Sequence, residues 1–277
     1  MPKYSVLMSV YKKDDPSFLK SSIDSMLKQT IKCEQFVIVE DGPLPEPLQK
    51  TIDNYKTKYK KLFTIVPLKE NVGLGRALDE GLKHCRNELV ARMDADDISK
   101  PERCEKLLSL FESEPRLSLA GTNVDEFYDE PENIVSSRKV PSDYESIRKF
   151  IRRRSPFNHP TVMFKKSEVE RCGGYGKMKR KQDLDLFSRM LNMDCYALNI
   201  DESLLLFRSN KDNYKRRKSW EYCKSYIDVV KENYKRGYCS RLDLLYVMAG
   251  QLFLHFSPSW LMKRVSDKYL REGKNKQ

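Results

Sequence analysis

The chain has 277 residues, 39% hydrophobic and 10% aromatic, and a formal net charge of +12. That is enough apolar material to bury a core, which excludes a disordered chain, and the length allows one large domain or one domain with a substantial appendage. Seven cysteines at 33, 85, 104, 172, 195, 223 and 239 form no C-x-x-C pair, an odd count without metal or disulfide spacing that suits reduced thiols in the cytoplasm.

At the start of the chain, Met1 to Val10 lacks the charged, apolar and small-residue layout of a signal peptide. Ser5–Val10 reads as a strand, and Asp15-Pro16 opens a helix with Asp as cap and Pro in the first turn. Leu19, Ile23 and Leu27 then mark its buried face. Phe36–Val39 is a strand ending in the turn chemistry of Glu40-Asp41-Gly42-Pro43. A helix leads to the strand Phe63–Val66, and Asn71-Val72-Gly73 is a loop before a helix around Leu74–Cys85. Leu89–Met93 is a strand ending at Asp94-Ala95-Asp96-Asp97. Ser99 and Pro101 begin another helix, with Leu107, Leu108 and Phe111 inward. Strands spaced by helices of this length predict βαβ units, hence an α/β fold with a mostly parallel sheet flanked by helices. Ligands in such sheets sit outside the carboxyl ends of the strands, where both acidic clusters lie.

The second half is more mixed. Ser118–Val124 and Thr161–Phe164 read as strands, Leu184–Met193 as a helix, and Tyr196–Ile200 and Leu204–Phe207 as two further strands. From Ser219 the pattern is helical, and Leu242–Phe256 is an apolar helix stopped at Pro258. The polar, basic stretch from Lys211 to Lys218 marks a boundary, giving a domain over 1–210 and a helical tail over 211–277. Charge is uneven: residues 1–133 hold 20 Lys/Arg against 24 Asp/Glu, and residues 134–277 hold 32 against 16. The second half is therefore expected to face an anionic partner or an acidic membrane surface, with a solvated basic face as the plain alternative. No stretch reaches the ~20 apolar residues of a spanning helix, so the chain is expected in the cytosol or on a membrane it does not cross. Eleven Lys/Arg against four Asp/Glu lie between Phe207 and Arg241. The apolar run that follows, and Trp260-Leu261-Met262-Lys263-Arg264 beyond it, have the flanks of an interfacial helix. Packing on the domain is the alternative.

Asp94-Ala95-Asp96-Asp97 is the strongest chemical signal. A divalent cation that bridges a nucleoside diphosphate to protein takes hard oxygen ligands, and alternate carboxylates at a strand end can serve metal and ribose separately. The plain alternative is an acidic turn capping the next helix through Asp97 or Ser99. At Glu40-Asp41-Gly42 a carboxylate can accept the N–H of a pyrimidine while glycine permits close backbone approach. Gly73-Leu74-Gly75-Arg76 opens a helix whose N-terminus attracts phosphate, with Arg76 available for a charge-assisted contact. It lacks the third glycine of a dinucleotide fingerprint. Asp183, in Gln182-Asp183-Leu184-Asp185, can take the proton of an acceptor hydroxyl or cap its helix. His159 and Asp185 are candidates for the acceptor side, with a structural role as the alternative for a lone His near a strand. No Ser-His-Asp set, H-E-x-x-H or P-loop is present.

Taken in order, Ser5–Tyr11, Val39-Glu40-Asp41-Gly42, Asn71-Val72-Gly73, Met93–Asp97, Gly173-Gly174-Tyr175 and Gln182–Arg189 resemble the family 2 glycosyltransferases. The likeness covers about residues 3–210 and is to the bacterial members that build capsule, O-antigen or exopolysaccharide, particularly the amylovoran-type transferases. It implies a GT-A (Rossmann-like) fold, with a nucleotide-sugar-binding half over 1–100 and an acceptor half over 101–210. It further implies an inverting displacement with Mn²⁺ or Mg²⁺. By the same likeness Asp41 binds the base, Ser9, Val10 and Tyr11 line that pocket, Arg76 contacts the diphosphate, Asp94 reaches the ribose, Asp96 holds the metal and Asp183 is the general base. The usual V-D-D-G-S reads Val39-Glu40-Asp41-Gly42-Pro43 here, and the usual E-D reads Gln182-Asp183. No metal-ligating His follows the last strand, where Arg208-Ser209-Asn210 stands, which leaves the third protein ligand open. The implied donor is a UDP-sugar, with dTDP-rhamnose as the alternative because both pyrimidines offer the same N–H. The implied acceptor is a lipid-diphosphate-linked saccharide on the cytoplasmic side of a bacterial membrane. A nucleic-acid partner would call for the aromatic and glycine motifs of an RNA-binding sheet, which are absent. A nucleotidyltransferase would call for a glycine- and lysine-rich start, which Val6–Lys13 does not supply.

Overall fold

The computed structural model describes residues 2–176, 178, 180–209 and 218–257. In chain order the elements are β1 (Tyr4–Val10), α1 (Pro16–Leu27), β2 (Gln35–Glu40), α2 (Glu46–Lys58), β3 (Phe63–Pro67), α3 (Leu74–His84), β4 (Leu89–Met93), β5 (Ile98–Ser99) and α4 (Arg103–Ser113). They continue with β6 (Leu117–Phe127), β7 (Ile134–Arg138), α5 (Tyr144–Phe150), β8 (Met163–Lys165), α6 (Lys166–Arg171), α7 (Gln182–Asn192) and β9 (Tyr196–Arg208). Two helices follow, α8 (Trp220–Lys235) and α9 (Arg241–Phe256). One sheet runs β3-β2-β1-β4-β8-β6-β9-β5, with β7 paired to β6. β1 to β4, β6 and β9 point one way, and β5, β7 and β8 oppose them. This is the mostly parallel α/β sheet that the sequence pattern predicts.

The period of two along each strand divides the core between the sheet's faces. Val6, Met8, Phe36, Ile38, Ala91 and Met93 meet α1 and α4 on one side. Leu7, Val37, Val39 and Val90 meet α3 and α7 on the other. α1 begins where Asp15 accepts from the Ser17 N–H at 2.8 Å ahead of Pro16, and it buries Leu19, Ile23 and Met26. α3 lies so close to the sheet that a Cβ on Gly81 would stand 2.4 Å from Val39 and 2.6 Å from Leu7. All seven cysteines are buried, and none forms a disulfide.

Three details differ from the sequence reading. The helix expected from Ser99 begins at Arg103, because Ile98–Ser99 pair with Leu206 and Leu205 as an edge strand. Neither Asp97 nor Ser99 caps it: the Asp97 carboxylate accepts the Arg208 N–H at 2.9 Å, and Ser99 accepts from the Arg103 guanidinium. The two strands expected over 196–207 are one, since the polar Asp201-Glu202 segment is absorbed as an irregularity in the pairing with β6 and Asn123 donates to Asp201.

Beyond residue 210 the expected boundary falls almost wholly outside the described residues, as does Trp260-Leu261-Met262-Lys263-Arg264. The described helices α8 and α9 are amphipathic in an unusual sense. α9 buries only Asp243 and Val247 and leaves Leu242, Leu245, Tyr246, Phe253 and Phe256 exposed, Phe256 by 78%. No described helix is long and apolar enough to cross a membrane.

Candidate active site

Parallel pairing aligns the carboxyl ends of the strands that carry the predicted residues. Val10 stands opposite Glu40, and Met8 opposite Met93, so Ser9 to Tyr11, Asp41 and Asp94 emerge side by side. The Asp41 N–H donates to the Val10 carbonyl at 2.8 Å. Its buried carboxylate organises the loop ahead of α3: Oδ1 accepts from the Val72 N–H at 2.7 Å, and Oδ2 from Asn71 Nδ2 at 2.9 Å and the Gly73 N–H at 3.2 Å. An ionised carboxylate has about four acceptor positions, so one remains on Oδ1. Gly42 is required here, since its φ of +86° is left-handed and a Cβ would lie 2.7 Å from the Asn71 nitrogen. Arg76 lies exposed in the first turn of α3 with no ion pair among the described residues.

At the end of β4, Asp94, Asp96 and Asp97 bring one oxygen each within 4.8 Å of one another. Arg92, fully buried beneath them, pairs with Asp94, and the Ser22 hydroxyl donates to the Asp94 carbonyl at 2.6 Å. Crowding by protein and the Asp94 charge push the Asp96 carboxyl up to about 6, although the residue reaches solvent. Burial, then Asp96 and Asp94, raise Asp97 well above the usual carboxylate range. Asp97 Oδ2 is buried without a hydrogen-bond partner. Three converging carboxylates, of which Asp96 and Asp97 are raised above the usual range and Asp97 keeps an orphaned oxygen, form a cation-deficient donor set of hard ligands. That chemistry fits Mg²⁺ or Mn²⁺. The sequence reading placed Asp97 in the acidic motif but gave it no separate role, with helix capping by Asp97 or Ser99 as the plain alternative. Where a histidine was wanting, Arg208 donates from Nε to the Asp96 carbonyl at 3.0 Å and stacks over Phe18 at 3.8 Å. Asp14 faces the same cluster: it accepts the Tyr11 N–H at 2.9 Å, and burial, then Asp96, Asp94 and Asp41, push it up to about 7.

Asp183 approaches from the other half of the chain. Lys181, left-handed at φ 61°, precedes α7, so Asp183 lies in the first turn and performs no capping. Its carboxylate is half-buried and makes no hydrogen bond to the described residues. Gly75 allows the start of α3 to meet that of α7, since a Cβ there would touch Gln182 at 3.0 Å. Asp94 and Asp183 line one cavity of about 410 Å³, shared with His159, Phe157 and Arg154. His159 bonds the buried Tyr175 hydroxyl at 2.9 Å, and burial, with Arg92 nearby, holds its pKa well below the ordinary value, so the imidazole is neutral. Asp185 lies outside this cavity. Buried, it joins Arg189 at 2.9 Å and Arg236 at 2.8 Å, tying α7 to the end of α8.

The tail helices also contribute to the cavity, through Tyr222 and Tyr226 of α8 and Gln251 and Leu254 of α9. The sequence reading held packing of the tail on the domain as an alternative but did not place it at the site.

The sequence model described as glycosyl transferase family 2 matches residues 5–174. The chain is 35% identical over 274 residues to a UDP-Gal:alpha-D-GlcNAc-diphosphoundecaprenol beta-1,3-galactosyltransferase of Escherichia coli, covering 97% of this chain and 98% of that protein. It is 35% identical over 230 residues to the amylovoran biosynthesis glycosyltransferase AmsE of Erwinia amylovora, covering 82% and 84%. Among solved structures, the mannosyltransferase PcManGT of Pyrobaculum calidifontis, in complex with GDP-Man and Mn²⁺, superimposes with a TM-score of 0.66 over 96% of this chain and 73% of that one. At 14% identity this likeness concerns the fold alone.

Proposed function

The chain belongs to glycosyl transferase family 2, and we propose that it moves a sugar from a UDP-sugar to a hydroxyl of a lipid-diphosphate-linked saccharide by a single inverting displacement. The observation that carries this reading is the shared cavity, in which the acidic turn of β4 and the free carboxylate of Asp183 face one ligand space. The Escherichia coli relative is named for transfer from UDP-Gal to a GlcNAc-diphosphate lipid, which supports both substrate classes.

The remaining acceptor position of Asp41 takes the N–H of the uracil, beside the backbone of Ser9 to Tyr11. Asp94 reaches the ribose, and Arg76 with the N-terminus of α3 meets the diphosphate. Asp96, with Asp97 as a further oxygen ligand, would hold Mn²⁺ or Mg²⁺, which supplies charge neutralisation to the departing diphosphate. Asp183 accepts the proton of the acceptor hydroxyl as its oxygen bonds to the anomeric carbon and the nucleoside diphosphate leaves from the opposite face. Neutral His159 and Phe157 give the acceptor sugar an uncharged, partly apolar wall.

The acceptor's lipid places the enzyme at the inner surface of a membrane. The outward apolar face of α9, next to a helix carrying Lys224, Lys231 and Lys235, suits the headgroup region of an anionic leaflet. The test is nucleotide release measured with Mn²⁺ across UDP-, GDP- and dTDP-sugars, with and without a sugar-diphosphate-lipid acceptor. Acceptor-dependent release from a UDP-sugar is expected, and its absence with every donor would overturn the reading.

A further inference from the structure

We propose that Arg154 and Lys181 form an anion subsite in the cavity, which holds the phosphate carried by the acceptor sugar. The inference rests on the glycosyl-transfer reading of that cavity. Arg154 lies in the turn after α5, and Lys181 immediately before α7; both line the cavity with Asp183. Their neighbours in sequence and space are paired: Arg153 with Asp243 at 2.5 Å, Arg180 with Glu221 at 3.1 Å, and Arg138 with Glu126 at 2.5 Å. Neither Arg154 nor Lys181 has a carboxylate partner among the described residues.

Their positions are nonetheless fixed. Lys181 donates to the Tyr222 hydroxyl at 2.5 Å, and its ammonium stands 4.2 Å from the Tyr222 ring centre and 4.7 Å from that of Tyr226. The Tyr226 hydroxyl donates to the Arg153 carbonyl at 3.0 Å, and Arg153 is drawn out to Asp243 and the Tyr246 ring, which orients the turn that presents Arg154. Arg154 itself lies 5.7 Å from the Phe150 ring centre, so both half-buried cations are met by neutral aromatic groups, a costly arrangement unless an anion completes it.

The placement also sets the ligand's order. Arg154, Lys181, Tyr226 and Asp183 line the same cavity, so the subsite shares that space with the base that receives the acceptor's proton. Gln251 and Leu254 of α9 line the same cavity, and the opposite face of that helix is apolar. Hydroxyl at Asp183, phosphate at Arg154 and Lys181, and an apolar chain along α9 is the sequence of groups in a sugar esterified through phosphate to a lipid. A soluble sugar 1-phosphate shares the first two.

Calorimetric binding of three probes separates these sources: undecyl GlcNAc diphosphate, GlcNAc 1-phosphate and undecyl GlcNAc. We expect both phosphorylated probes to bind the full-length protein at least ~10-fold more tightly than the neutral glycoside. Tighter binding of the undecyl diphosphate than of GlcNAc 1-phosphate would assign the lipid-linked source, and equal binding the soluble one. Arg154→Gln and Lys181→Asn, the latter tolerating the left-handed backbone, should each cost the phosphorylated probes ~10–100-fold. Binding of undecyl GlcNAc and of UDP with Mn²⁺ should not change. Equal affinity for all three probes in the unmodified protein, or loss of UDP binding in either folded variant, would overturn the subsite. Discrimination of phosphate without acceptor-dependent nucleotide release would instead remove the transfer reading and leave the subsite standing.

Discussion

Replacing Asp183 by Asn keeps shape and polarity but removes the proton acceptor. General-base catalysis contributes roughly 10²–10⁴-fold, or about 2.7–5.4 kcal/mol of barrier at 1.36 kcal/mol per decade. The cost to folding is small by comparison, because Asp183 neither caps α7 nor bonds another described side chain. What Asn gives up is the attraction of a carboxylate to the helix N-terminus, about 0.3–1 kcal/mol, or a fall in Tm of no more than about 4 °C for a chain of this size. Asp185, one turn position away, predicts the reverse. Asp185→Asn breaks the pairs with Arg189 and Arg236, at about 3 kcal/mol, the low end for a buried pair because Arg236 is partly solvated. Its Tm should fall by roughly 6–12 °C. Steady-state kinetics, donor binding and thermal unfolding on the two variants decide the matter. A normal maximal rate in Asp183→Asn, or a rate loss accompanied by lost donor affinity, would refute the assignment.

Asp96→Ala should reduce Mn²⁺-supported turnover at least ~10²-fold with unfolding unchanged, as expected when a principal electrostatic contact to developing charge is removed; near-normal turnover in the folded variant would move the metal elsewhere. Asp14 retains its proton to about 7 in the folded chain against 3.8 in the free residue. The folded state therefore binds the extra proton between those values, and stability falls as pH rises through that window. Asp14→Asn should flatten the loss seen in Tm between pH 5 and 8, and an unaltered pH profile would count against this cause. Gly81→Ala should cost about 1–3 kcal/mol by overpacking α3 against Leu7 and Val39, read as a lower denaturation midpoint. Leu245→Ser with Phe253→Ser should reduce flotation on anionic liposomes without changing Tm, since both side chains are already exposed. Undiminished flotation would detach α9 from the membrane.

The first half of the fold was legible because its information is local. Asp15-Pro16 caps and opens a helix within four residues, and each strand announces itself by an apolar run that ends in turn chemistry. The acidic turn was visible for the same reason. The role of Asp97 stayed open because a carboxylate just ahead of a helix has the pattern of a cap, whereas its partner, the Arg208 N–H, comes from the far end of β9. Long-range pairing likewise hid the continuity of β9, whose polar Asp201-Glu202 looks like a turn until Asn123 is placed beside it. Asp183 and Asp185 are indistinguishable by spacing; only the approach of Arg236 from α8 gives Asp185 its partners. Arg154 was submerged in the basic count of the second half, because only the folded chain shows that Arg153 finds Asp243 while Arg154 faces the cavity.

In the proposed mechanism Asp183 and the acidic turn of β4 act across one cavity in a single displacement. The anomeric configuration of the first product tests it most directly. With an α-linked UDP-sugar donor, Mn²⁺ and a sugar-diphosphate-lipid acceptor, proton NMR of the product at early turnover should show a β linkage, formed by the unmodified protein and not by Asp183→Asn. An α linkage, or equal rates of its formation by both proteins, would contradict the account.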